Sequence, residues 1–111
     1  MPAGRLRHRV SIEKLVQEQD TDGALEEDWI DQFGKLLPAE IVALSGRELI
    51  AAQAVQSKVA TRIRLRYRSG IEPAMRIVHR GLAYNILALV PDPDSGRTFV
   101  TAICESGVNA G

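Results

Sequence analysis

Hydrophobic and polar positions alternate along most of this chain with the two-residue period of β-strands. Residues 6–12 place Leu6, His8, Val10 and Ile12 on one face and Arg7, Arg9 and Ser11 on the other. Asp20-Thr21-Asp22-Gly23 then reads as a turn, with Gly23 free to take positive φ. Residues 25–31 and about 35–43 return to strand character, with Trp29, Leu37, Ala39 and Ile41 expected inward. Pro38 interrupts that stretch, and its missing N–H predicts an edge strand or a bulge there.

The period changes at Ser45. Ser45-Gly46-Arg47-Glu48 has the form of a capping box: the serine oxygen takes an early backbone N–H and Glu48 reaches back to Ser45. Ile50, Ala51, Ala54 and Val55 follow as a narrow apolar stripe, predicting a helix of roughly three turns that is marginal in isolation. Residues 59–67 give the cleanest strand. Val59, Thr61, Ile63, Leu65 and Tyr67 share one face; Arg62, Arg64 and Arg66 share the other, continued by Arg68. Met75 to His79 starts another strand, and Arg80-Gly81 connects it tightly to 83–90. That segment is apolar on both faces, which predicts a central or doubly covered position. Pro91 to Gly96 is a turn and Arg97 to Glu105 the last strand.

The pattern therefore predicts a mainly β fold: a small antiparallel β-barrel or sandwich of about six strands with one short inserted α-helix. Residues 1–111 read as a single domain, with a loose tail over about 106–111. Hydrophobic residues at 45% and charged residues at 25% fit a globular core. The lone Cys104 excludes an intramolecular disulfide and points to a reducing compartment. The N-terminal region reads as lacking a signal peptide, and no apolar run approaches the ~20 residues of a membrane span.

Charge changes the picture more than composition does. The net charge is zero, yet Glu18 to Asp31 holds seven acidic residues and no basic one. Arg47 to Arg80 holds eight basic residues and two acids, Glu48 and Glu72. Eleven of the fourteen basic residues are Arg, whose planar fork suits interfaces. Two ordinary solvated faces would explain this division; so would two unlike surfaces, including Glu26 and Asp28 on the acidic side, that meet between copies and close a ring. The row Arg62, Arg64, Arg66 and Arg68 has three readings: a solvated face beside cross-strand acids, a contact with a neighbour's acidic segment, or a phosphate contact. Like charges on one strand repel unless something relieves them.

Catalytic chemistry finds no foothold. His8 and His79 lie in predicted strands without a nucleophile or metal-ligand pattern, and Cys104 reads as a small packed hydrophobe. Asp92 and Asp94 sit in a Pro-rich turn where Asp binds local backbone. No phosphate loop, nucleophile elbow or zinc-protease motif occurs. No enzyme activity, cofactor or metal is expected.

The order Leu44-Ser45-Gly46-Arg47-Glu48-Leu49, then Ala51, Ala52 and Gln53, then Arg62 to Tyr67, resembles bacteriophage head–tail joining proteins. Leu6 to Val10, Asp22-Gly23, Trp29, Met75 to Ile77, Gly81 and Tyr84 to Ile86 extend the resemblance over roughly residues 4 to 105. It implies a structural, non-enzymatic connector of a phage or prophage. Such a connector is a homo-oligomeric ring below the portal, extending the DNA channel, closing the filled head and presenting a tail-attachment surface. The implied partners are a portal or adaptor ring and a tail-completion protein, with non-specific contact to channel DNA and none to membrane. The isolated chain is expected to be a monomer or at most a weak oligomer, and the resemblance places it in the host cytoplasm during assembly and then in the virion. By chain order, Ser45, Gly46, Arg47 and Glu48 open the segment that would move or face the channel. The alternative is a small β-barrel nucleic-acid-binding protein using the Arg62/Arg64/Arg66 face.

Overall fold

The computed structural model describes residues 6–44, 47, 59–91, 98–105 and 108–109. Eight strands follow one another: β1 (His8–Gln19), β2 (Leu25–Asp31), β3 (Leu37–Ala43), β4 (Val59–Arg66), β5 (Arg76–His79), β6 (Leu82–Pro91), β7 (Phe99–Glu105) and β8 (Val108–Asn109). Six of them close a barrel in the order β1-β3-β4-β7-β6-β5 and back to β1, every pair antiparallel. The mainly β antiparallel barrel expected from alternation is the observed fold. The inserted helix falls on residues 45–58, outside the described residues apart from Arg47. Val108–Asn109, within the stretch read as a tail, pairs with Leu82–Ala83.

Alternation works because a small barrel has an inside just large enough for one set of side chains. Val10, Ile12, Ile63, Leu65 and Ile77 point inward and are fully or almost fully buried. Large residues face small ones across the ladder: Leu65 opposite Ala39, Ile63 opposite Ala102. That complementarity fills a narrow interior without overpacking. Cys104 also points inward, its Sγ 3.6 Å from the Ala102 carbonyl oxygen, and burial pushes its thiol pKa up to about 12. It packs as the small hydrophobe its alternation implied.

The run 83–90 takes a central position between β7 and β5, one of the two its apolar faces predicted, but it is not doubly covered: Leu87 is 44% and Val90 47% exposed. A register shift between Ile86 and Ala88 adds a residue against β7, so the inward set passes from Ile86 to Leu89. Both faces look apolar in sequence because the bulge swaps which face is inside. Tyr67 follows the inward parity of Leu65 but lies past the end of β4 and is half exposed. Pro38 sits opposite Arg9 where pairing to β4 has not begun, since that ladder starts at Ala39. There the missing N–H leaves no gap on the β4 side.

β1 is longer than the barrel requires. His8–Val10 pair with β3, Ser11–Glu13 with β5, and Glu13–Gln19 run on with β2 as a two-stranded arm. The molecule is accordingly elongated, at 50 × 31 × 24 Å. At the arm's tip Asp20 Oδ1 accepts the N–H groups of Asp22 and Ala24, each at 2.9 Å, and Gly23 takes φ 85°. At its base Asp31 Oδ1 accepts from Phe33 at 3.1 Å and Gly34 at 3.0 Å, turning the chain back to the barrel. Arg80-Gly81 forms a two-residue hairpin loop inside the His79–Leu82 pair with φ of 52° and 81°, the positive pair of a type I′ turn. Gly81 meets this demand freely, whereas a left-handed Arg80 costs about 1–2 kcal/mol.

Candidate functional site

The distinctive chemistry lies outside the barrel, in two places. The first is the arm. Pairing puts Glu18 opposite Glu26, Val16 opposite Asp28 and Lys14 opposite Ile30, all on one face. Directly opposed carboxylates repel, and a two-stranded ribbon is marginal in water. Among the described residues Glu18, Glu26 and Asp28 make no ion pair, and Leu25 (69%) and Ile30 (41%) are exposed. β2 has β1 as its strand partner.

A mostly buried ion pair ties the arm to the barrel. Arg76 on β5 donates from Nε to Glu13 Oε1 at 2.8 Å and pairs through a second nitrogen at 2.7 Å, both side chains mostly buried. Its guanidinium lies 4.2 Å from the centre of the Trp29 ring. Trp29, expected inward, is thus corrected: it belongs to the arm's other face and packs under Arg76. The β1–β2 ladder extends beyond the barrel, so the strand parity of Trp29 no longer reports the core.

The second place is the outer wall of β3, β4, β7 and β6. The ladder registers give one row Val42–Arg62–Ile103–Ala88 and a second Glu40–Arg64–Thr101–Val90; Arg66 follows, opposite Phe99. The structure brings Arg62, Arg64 and Arg66 onto this wall as their alternation indicated. Arg64 and Arg66 share the Phe99 ring, at 4.2 and 5.7 Å from its centre, which holds both guanidiniums against the sheet. Arg68 does not continue the row. It lies past the end of β4, 4.9 Å over Phe33 at the arm's base, where Gln32 Nε2 also donates to the Gly70 carbonyl at 3.1 Å. The strand ends at Arg66, so parity stops governing direction there. Ser45, Gly46 and Glu48 lie outside the described residues, and Arg47 is exposed.

Sequence reasoning gave no site role to Arg76, Trp29, Phe99 or Phe33. The available signal was scarcity: with one Trp and two Phe in the chain, all three rings end under Arg. Elsewhere, an open, mostly apolar depression is lined by Tyr67, Arg68, Ile71, Leu89, Pro91 and Val100. No group of three or more His, Cys, Asp or Glu side chains suited to a metal ion occurs among the described residues.

His8 and His79 meet edge to face, ring centres 4.9 Å apart. Burial, then the His8 charge, then Arg80 hold the His79 pKa below its ordinary 6.5. The unfolded chain therefore binds a proton that the folded state resists. This contribution to stability is complete above pH 6.5 and is lost as pH falls through the folded value. Thermal melts from pH 7.5 to 5 should show wild type losing stability more steeply than His79→Gln; parallel curves would rule out a role for His79.

A closed barrel with an acidic arm and an arginine-studded wall carries its charged chemistry on the outside. The chain belongs to the phage head completion protein family, whose sequence profile matches residues 1–107. It is 29% identical over 112 residues to the head completion protein gp7 of Enterobacteria phage HK97, spanning 96% of this chain and 97% of that protein. The solution structure of protein SF1141 from Shigella flexneri 2a is similar at a TM-score of 0.79, with 33% identity over 97% of this chain and 98% of that one. A chain in the virion of a native gene transfer agent particle shares the fold at a TM-score of 0.63 with 19% identity, covering 94% and 96%. The family is structural rather than enzymatic.

Proposed function

We propose that this protein is the head-completion connector of a phage or prophage. Copies assemble as a ring below the portal, lengthen the DNA channel, hold DNA in the filled head and present the surface that receives the tail. The observation that carries this reading is the match over residues 1–107 to the head completion family, with nearly full-length likeness to gp7. The charge layout supports assembly into a ring. Seven acids lie between Glu18 and Asp31 on the arm and its base, while Arg62, Arg64 and Arg66 lie on the barrel wall. Unlike surfaces at separate places on one molecule suit a heterologous contact, which closes when its rotation permits. Contact with the portal or an adaptor ring, with a tail-completion protein and with channel DNA belongs to the same proposal. Ser45 to Glu48 open the β3–β4 connection, the segment proposed to face the channel.

Deleting the gene from an inducible phage genome tests this. Packaged heads should leak DNA and fail to join tails, and added purified protein should restore infectivity. Heads that keep their DNA and join tails without the protein would overturn the reading.

A further inference from the structure

We propose that the outer wall of β3, β4, β7 and β6 is the seat for the β1–β2 arm of a second copy of this chain, the arm's Glu18/Glu26/Asp28 face lying on Arg62, Arg64 and Arg66. The proposal deepens the head-completion reading and rests on it for its setting.

Three observations select this occupant. The first is matched spacing. Glu26 and Asp28 alternate on β2 as Arg62, Arg64 and Arg66 alternate on β4, so both rows repeat at about 6.8 Å along an extended strand. Acidic and basic side chains at one shared period pair repeatedly when the strands lie alongside each other. Glu18 joins the acidic row from across the ladder, giving three carboxylates for three guanidiniums.

The second is that both surfaces carry aliphatic side chains beside their charges. Toward its base the acidic face carries Val16, the 41% exposed Ile30 and, opposite Ile30, Lys14. The wall flanks its arginines with Val42 and Val90, 36% and 47% exposed, and Ile103 between them. An interface with aliphatic contacts beside Arg-carboxylate pairs follows the usual composition of docking surfaces. A nucleic acid would use the arginines and leave these aliphatics facing water.

The third is that each surface is held in place before contact. On the wall Glu40 lies across the ladder from Arg64, and Arg64 and Arg66 both lie over the Phe99 ring. The arm is likewise held at its base by Arg76, Glu13 and Trp29, so it projects at a set angle. Both halves are arranged in advance of contact. The arm reaches outward from the barrel, so the wall it meets is a neighbour's.

Cross-linking between two single variants tests the contact. Asp28→Cys protein and Arg64→Cys protein are mixed and treated with a short bismaleimide, as concentrated free protein and after addition to heads lacking the wild-type chain. Native Cys104 is fully buried and stays silent in folded protein. Cross-linked dimers should form only in the mixture, at least tenfold above a control mixture of Asp28→Cys with Glu72→Cys. Incorporation into heads with no excess of dimer overturns the arm contact and leaves the head role standing. A cross-link from Arg64→Cys to a different virion protein likewise overturns it, giving the wall another occupant. Dimers in free protein without incorporation support the contact and overturn the head role; neither dimers nor incorporation overturns both.

Discussion

Ile12→Ala should be the most destabilising single change in the described barrel. Ile12 is fully buried and pairs directly with Ile77, also fully buried, at the β1–β5 junction that closes the barrel. Truncation leaves a cavity where a close-packed interior cannot collapse, at a cost of about 2–5 kcal/mol. Against a total of about 5–15 kcal/mol, that removes a large share of the stability. The junction itself is short: β1 meets β5 over Ser11, Ile12 and Glu13, so few neighbouring pairs compensate. The melting temperature should fall by on the order of 10 °C or more. Ile30→Ala is the internal comparison, because Ile30 lies on the arm at 41% exposure and should change stability by about 0.5 kcal/mol or less. Urea unfolding of both variants decides the point. Equal midpoints would mean that the barrel does not depend on its closing seam.

Arg64→Glu with Arg66→Glu should give the largest functional loss with little effect on folding. Both side chains lie on the outer wall, where their described contact is the Phe99 ring, so reversal forfeits about 1 kcal/mol of stacking. At a neighbour's acidic face the same change turns attraction into repulsion. Close interfacial charge pairs couple by about 1.5 kcal/mol or more, so two reversals should weaken copy–copy association roughly a hundredfold. Glu26→Arg with Asp28→Arg should recover part of that loss when both sets are combined. A double-mutant cycle on head assembly measures the coupling, and strictly additive effects would separate the two surfaces. Normal assembly with leaking heads would instead place the arginines along the channel, against DNA. Normal assembly and normal retention together would leave them a solvated face.

Much of the barrel was legible because its physics is local. Val10, Ile12, Ile63 and Leu65 declared their side by alternation, since successive side chains on a strand cannot share a face. The same rule placed Arg62, Arg64 and Arg66 together on the opposite side. Asp20 to Gly23 announced the turn at the arm's tip through residues that bond their own backbone and tolerate positive φ. Other features required pairing. Leu87 and Val90 looked like core until the bulge between Ile86 and Ala88 reversed the inward set, an event set by β7 and invisible in β6 alone. Arg68 and Tyr67 follow the alternation of β4 in sequence and leave it in space, because the strand ends at Arg66.

What the sequence determined by itself was the mainly β class, the inward and outward faces of its straight strands, and the separation of acidic from basic segments along the chain. Hydrophobic periodicity and charge order are written residue by residue, so no partner strand is needed to read them. Tertiary structure alone decided that β1 outruns the barrel. The acidic segment thereby becomes a projecting arm, and Trp29 rests under Arg76 instead of entering the core. The physical reason is that Glu13 to Gln19 can satisfy the same ladder hydrogen bonds against β2 outside the barrel as a wall strand would inside it. Alternation records that a strand exists, while closure between Ser11–Glu13 and Arg76–Val78 sets where the inside stops.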